Sequence, residues 1–262
     1  MELIDKVAVI TGGSGGIGKA MASAFLREGA KAVVLADLDA RAVADAALHV
    51  DPSGLRCSGT ACDVTNEADI TALTEHTIAT HGQVDVFCSN AGAGAAGVLT
   101  DAANDVWQSQ WDLHVMSHVY AARAALPGML ERGSGYLLNT ASAAGLLAAL
   151  NSGPYTVTKA AAVKFAEFLA ITHGDDGIKV SVLCPQGVNT AMGPKSLGDG
   201  MTDGIIEADQ LADVVIETMR EERFHVLPHP EVEEYVRRKG DNVDRWLVGM
   251  QRLRRKSIDA AS

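Results

Sequence analysis

The chain has 262 residues, a length that suits one α/β domain with a large core. Apolar residues make up 47%, charged residues 21% and aromatics 5%, a globular profile. The net charge of -11 speaks against nucleic acid or an anionic membrane surface as a partner. Strand-like and helix-like patterns then alternate along the chain. KVAVIT (6–11) reads as a β-branched strand. Residues 16–29 read as a helix, with Ile17, Met21, Ala24 and Phe25 at helical spacing and Gly29 as its stop. A strand (31–37), a helix (39–50) and a strand (55–64) follow. Next come a helix over 66–82 with Asn66 as its cap and a strand over 84–92. A long helix is expected over 104–131, bent or ended locally at Pro127, and then a strand over 135–142. A helix over 154–174 carries Pro154 in its first turn. A strand (178–185), a helix (207–222), a last strand (223–228) and a charged helical tail from 231 to 256 complete the series.

Seven strands alternating with helices, most of them continuously apolar, imply a parallel sheet buried on both faces. The expected fold is α/β: a single-domain, Rossmann-like doubly wound seven-stranded parallel sheet with helices on both faces. The body spans 1–230. Residues 231–262 form a tail that would pack, through Tyr235, Trp246, Leu247, Met250 and Leu253, on the body or on a neighbouring subunit. The stretch 191–206, at a strand's carboxyl end, is expected to be a substrate lid. No apolar run reaches the roughly 18 residues of a membrane span. The start, MELIDKVAVI, lacks the pattern of a signal peptide. Cys57, Cys62, Cys88 and Cys184 form no CxxC pair and read as core thiols, with the cytoplasm as the expected compartment.

Five glycines crowd ITGGSGGIGKA (10–20), at the first strand-to-helix turn. A helix amino end there offers free N–H groups to a dinucleotide's phosphates. Gly12 would permit the turn, Gly16 the close approach of a pyrophosphate, and Gly18 close packing of helix on strand. Ser14 occupies the turn, and no lysine or arginine does. Asp37 ends the second strand, where an acid bonds the ribose 2′-hydroxyl of NAD and repels the 2′-phosphate of NADP. Asp37 can also be read as the cap of the next helix. Tyr155 and Lys159 lie one helical turn apart, so the ammonium would favour the phenolate and lower its pKa toward the working range. Ser142 ends the fifth strand and would meet that helix start at the carboxyl edge of the sheet.

With these pieces in hand, residues 5–228 resemble the short-chain dehydrogenase/reductase family. The likeness rests on TGGSGGIG (11–18), CDV (62–64), NAG (90–92), Ser142, YTVTK (155–159) and PQGVNT (185–190). The resemblance implies that Tyr155 is the general acid/base and that Lys159 lowers its pKa and holds the nicotinamide ribose. It also implies that Ser142 bonds the substrate oxygen and that hydride passes between substrate carbon and NAD. Asp63 and Val64 would border the adenine, Asn90 would support the turn, and Val188 and Thr190 would anchor the carboxamide. Ile17, Leu38, Ala91, Gly92, Pro185 and Gly187 join the cofactor contacts. Where the family has an asparagine this chain has His114, a neutral imidazole able to hold water and pass protons. Gln186 stands where the family has glycine, and either contacts substrate or faces solvent.

His114 and His118 have the spacing of two metal ligands, but no third ligand joins them in a recognisable pattern, so no metal is expected. The candidate pocket walls are 91–97, 142–150, Gln186, Met192 and Leu197, with Lys195 the one cation. They suit an apolar secondary alcohol or ketone. The rival readings are an NADPH-dependent carbonyl or 3-oxoacyl reductase and a catalytically impaired nucleotide-binding regulator. The family resemblance implies a homodimer or homotetramer built on the alanine-rich helices.

Overall fold

The computed structural model describes residues 1–94, 97, 100–191 and 203–259. Met192, Lys195, Leu197 and most of the expected lid lie outside the described residues, as do parts of the 91–97 wall. β1 (Val7–Thr11), β2 (Ala32–Asp37), β3 (Cys57–Ala61), β4 (Val86–Ser89), β5 (Gly135–Thr140) and β6 (Ile178–Leu183) follow the expected order. Strands β7 (Gly187–Asn189) and β8 (Ile205–Glu207) form a separate two-stranded parallel ribbon, and β9 (His225–Val226) ends the main sheet. That sheet has seven strands in the order β3-β2-β1-β4-β5-β6-β9, all parallel.

Side chains alternate across this sheet, as the pleat requires. Ala8, Ile10, Val33, Leu35, Tyr136 and Leu138 enter one core layer, under α1 (Gly16–Arg27) and α2 (Ala40–Val50). Val9, Val34, Ala36, Phe87 and Leu137 enter the other, under α3 (Glu67–His81). The central strands are buried throughout, whereas β3, at one edge, is largely exposed. All four cysteines are free and buried. Asn66 caps α3 as expected, accepting the Ala68 N–H. Asp39 accepts the N–H groups of Arg41 and Ala42 and caps α2, so Asp37 is not that helix's cap.

The long helix expected over 104–131 is interrupted. It comprises α4 (Asn104–Trp111), a π-helical segment (Asp112–Met116) and α5 (Ser117–Arg132). The widened turn frees a carbonyl, and the Ser117 hydroxyl donates to the Leu113 carbonyl at 2.6 Å. Pro127 neither ends nor divides α5, which runs on to Arg132. Beyond β5 the chain makes the short α6 (Ala143–Leu146) and then α7 (Gly153–His173). After β8 comes α8 (Ala208–Glu221), which packs on α1. The tail forms α9 (Glu231–Asp241) and α10 (Val243–Asp259). Val232 is buried and the rings of Tyr235 and Trp246 meet at 6.3 Å, but Leu247 and Leu253 stay exposed.

Tyr136 is fully buried in β5, with its hydroxyl 2.5 Å from Ser181 Oγ, and Ser181 also donates to the Arg223 carbonyl. Tyr136→Phe removes one hydrogen bond and leaves Ser181 its second. The expected cost is about 1 kcal/mol, read as a lower urea midpoint at unchanged slope.

Candidate active site

The strand order reverses between β1 and β4, and a cleft of about 640 Å³ opens at the carboxyl ends of the strands. Gly12, Ser14, Gly16, Ile17, Gly18, Asp37, Leu38, Asp63, Val64, Asn90, Ala91 and Gly92 line one part of it. Ser142, Tyr155, Lys159, Pro185, Gln186, Val188 and Thr190 line the rest. Two expected residues, His114 and Gly187, are not among its lining residues.

Gly12 adopts φ +65°, a left-handed conformation that glycine takes without strain. A Cβ on Gly16 would meet Thr190 Cγ2 at 2.7 Å, so the bare backbone lets the first turn and the β7 segment close together. A Cβ on Gly18 would meet the Gly12 carbonyl oxygen at 2.4 Å. Gly18 therefore packs on the turn itself rather than on the strand. Helix α1 begins with no side-chain cap and no acid in its first turn, which leaves its N–H groups and positive dipole end for an anion. These features, a bare backbone cradle at an uncapped helix start, fit a dinucleotide's diphosphate.

Across the turn, Asp37 Oδ2 accepts both the N–H (3.0 Å) and the hydroxyl (2.6 Å) of Ser14, and Oδ1 accepts the Leu38 N–H. Thr11 ties β1 to β4: its hydroxyl oxygen accepts the N–H groups of Asn90 and Ala91. The Asn90 side chain donates to the Thr11 carbonyl at 2.9 Å and accepts from Thr140. Thr140 carried no sequence signal, because its partners are set by strand order.

The second part of the cleft forms where β5 meets α7. Ser142 caps α6, accepting the Ala144 N–H at 3.1 Å, and its hydroxyl lies 3.4 Å from the Pro185 carbonyl and bonds the Tyr155 phenol. Lys159 is buried, donates to the Thr140 carbonyl at 2.9 Å, and sits 5.7 Å from the centre of the Tyr155 ring. Burial lowers the Lys159 ammonium to about 8. Burial sets the direction of the Tyr155 shift in this arrangement and outweighs any lowering by Lys159. Burial raises the phenol, the bond to Ser142 opposes that rise, and the ammonium lies over the ring rather than bonded to the oxygen.

His114, in the π-helical segment, is fully buried. Its Nε2 accepts the Ala93 N–H at 3.2 Å, so Nδ1 carries the proton and faces Thr158 Oγ1 at 3.1 Å. The Thr158 hydroxyl in turn donates to the Pro154 carbonyl at 2.8 Å. Both imidazole nitrogens are thus engaged by the protein, and burial with the nearby Lys159 charge lowers the ring to about 2. The water-holding role expected for His114 has no free nitrogen to serve it. Instead the ring stands edge-on against Tyr155 at 5.4 Å. His118 is buried and lowered to about 3, chiefly by burial.

Residues 6–199 match the model of the family described as short chain dehydrogenase. The chain belongs to the short-chain dehydrogenase family. It is 37% identical over 212 residues to 2-(S)-hydroxypropyl-CoM dehydrogenase 3 of Xanthobacter autotrophicus, a match covering 80% of this chain and 82% of that one. It is 30% identical over 260 residues to 1-deoxy-11-beta-hydroxypentalenate dehydrogenase of Streptomyces exfoliatus, covering 94% and 91%. A short-chain dehydrogenase/reductase from Burkholderia phymatum, solved in complex with NAD, superposes with a TM-score of 0.85 at 30% identity, covering 93% of this chain and 96% of that one. The short-chain dehydrogenase fold thus accounts for the seven-stranded sheet, and the chain is an oxidoreductase of this family. Among the described residues no helix is long and apolar enough to cross a membrane.

The buried lysine gives the site a pH signature. Its pKa falls from 10.5 unfolded to about 8 folded, so between these values the unfolded chain holds the extra proton and stability rises with pH. Lys159→Met removes that slope. Urea titrations from pH 8 to 10.5 are expected to show the parent protein gaining stability relative to the variant, and a constant difference would contradict a lysine lowered by burial.

Proposed function

We propose that the protein interconverts a largely apolar secondary alcohol and its ketone with NAD. The observation that carries this reading is the convergence of Ser142, Tyr155 and Lys159 in one cleft whose far end holds Asp37. A nicotinamide dinucleotide supplies the hydride acceptor for oxidation and the donor for reduction. The Gly12–Gly18 turn would take its diphosphate and Asp37 its adenosine ribose. Asp63 and Val64 would flank its adenine, Tyr155 and Lys159 would hold its second ribose, and Val188 and Thr190 its carboxamide.

In oxidation, Ser142 holds the substrate oxygen and Tyr155 takes the hydroxyl proton at its phenolic oxygen as the C=O bond forms. In reduction, Tyr155 returns that proton to the developing alkoxide. Lys159, with a pKa near 8, is charged below that pH and favours the phenolate whenever the proton has left. His114 serves by bracing the Tyr155 ring and the Thr158 turn. Lys159 is the only cation among the described lining residues. That supports an uncharged substrate, and, with Asp37 at the lip, NAD over NADP. Both dehydrogenases named above carry a hydroxylated compound in their names, which supports the CH–OH class. Exposed Val157, Phe168 and Ile171 on α7 support assembly of protomers through that helix, as a dimer or tetramer.

The test is NADH formation across hydrophobic secondary alcohols. Tyr155→Phe is expected to lower kcat roughly 10²- to 10⁴-fold while NADH binding, followed by fluorescence, persists. Unchanged turnover in that variant would overturn the mechanism. Asp37→Ser is expected to reduce the preference for NAD over NADP at least about tenfold, a shift in kcat/KM worth roughly 1.4 kcal/mol. A parent enzyme that already prefers NADP would overturn the cofactor assignment.

A further inference from the structure

Gln186 follows Pro185, whose carbonyl accepts the Ala143 N–H at 2.9 Å and lies 3.4 Å from the Ser142 hydroxyl. It therefore lines the cleft one residue from the group that would bond the reacting oxygen. Its backbone N–H donates to His229 Nδ1 at 3.2 Å, and its side-chain Nε2 donates to Asp203 Oδ2 at 2.7 Å. The second oxygen of Asp203 accepts the Tyr235 hydroxyl at 2.8 Å. A carboxylate only accepts, so the nitrogen of the Gln186 amide must face Asp203, and Oε1 is the end left over. Among the described residues no donor is bonded to that oxygen.

Tyr235 is itself held. It lies on α9 one turn from Lys239, whose ammonium donates to the Leu146 carbonyl at 2.6 Å, and Val232 on the same helix is buried. The tail thus grips the α6 end through Lys239 and, through Tyr235 and Asp203, the Gln186 wall of the cleft; of the expected 142–150 wall only Ser142 lines it. Ala93, Leu113 and Ala141 elsewhere in the lining offer no side-chain polar atom. Gln186 is half-buried, and an amide oxygen fixed at the cleft wall favours a substrate that offers it a donor over one that does not.

We propose that Gln186 Oε1 accepts a hydrogen bond from a second hydroxyl or N–H group on the substrate, next to the reacting carbon, and that Tyr235 is the positioning residue that orients it through Asp203. The substrate class is then an alcohol or ketone with an apolar body and one further donor. The inference rests on the oxidoreductase reading above.

The probes are matched pairs, such as 1-phenyl-1,2-ethanediol and 1-phenylethanol, each oxidised with NAD. The parent enzyme is expected to favour the diol in kcat/KM. Tyr235→Phe, which removes one hydroxyl from a half-buried ring, is expected to cut that preference about three- to tenfold, mainly through KM, at a retained melting temperature. Gln186→Ala keeps the backbone bond to His229. It is expected to abolish the preference, and Tyr235→Phe should then add nothing, because the two act in series. A preference indifferent to Tyr235, or one that Tyr235→Phe lowers equally in both backgrounds, would overturn the proposal alone. If the parent enzyme turns over neither member of any pair while NADH still binds, the oxidoreductase reading falls and this proposal with it.

Discussion

A lysine buried in the interior is the constraint around which the site is arranged. Removing an ammonium from water costs several kcal/mol, and a single charge-assisted bond returns only part of that. Lys159 has one such bond, to the Thr140 carbonyl, and no carboxylate partner among the described residues. Its neighbours are accordingly uncharged. His114 and His118 stay neutral, each lowered first by burial and next by the Lys159 charge. A Cβ on Gly92 would come within 3.5 Å of the ammonium and 3.3 Å of His114 Nε2, so even the backbone of that loop is drawn close. Two groups near the ammonium can become anions in place, the Tyr155 phenol and the Cys184 thiol, and burial pushes the thiol up to about 12, which leaves the phenol, on the cleft side, as the acid/base. A buried cation without a permanent counter-ion is a reason for that phenol to lose its proton when substrate offers it a use, and it supports the acid/base role.

The sheet makes this arrangement possible at no local cost. The β5 end supplies the Thr140 carbonyl and Ser142, and α7 returns Tyr155, Thr158 and Lys159 to the same edge. Three successive positions along one helix face thus perform different tasks. Tyr155 faces the cleft, Thr158 locks the π-helical segment through His114, and Lys159 closes the gap to β5. The π-helical segment is the counterpart on the opposite wall. Its widened turn brings His114 against Tyr155, and the imidazole tautomer follows from a complete chain of donors running from Ala93 to the Pro154 carbonyl.

Much of this was readable from the residues, because much of it is local. The strand runs, the Asn66 cap, the glycine turn and the Tyr155–Lys159 spacing each depend on residues within a few positions of one another. Features resting on distant neighbours were not readable. Pro127 suggested a break, yet the break lies at 112–116, where no proline or glycine marks it. Asp37 could be read as a cap until Asp39 was seen to hold α2 and Ser14 to hold Asp37. His114 could be assigned a water until both its nitrogens were found in use. Thr140 looked like an ordinary strand residue, since only the adjacency of β4 and β5 gives its hydroxyl a partner.

The same distinction separates the two ends of the cleft. The dinucleotide end is closed by contacts around the first turn: Ser14 with Asp37 at the end of β2, Thr11 with Asn90 after β4, and Gly16 with Thr190 after β7. Altering any of them disturbs the sheet edge that every strand shares. The opposite end is assembled from Gln186, Asp203, Tyr235 and Lys239, which lie in loops and in a helix beyond the last strand of the sheet. Their bonds can be exchanged without moving a strand, which is what the proposed substrate contact at Gln186 requires. The same distinction explains why the cofactor half of the cleft can be argued from the sequence, whereas the substrate half has to be argued from the geometry.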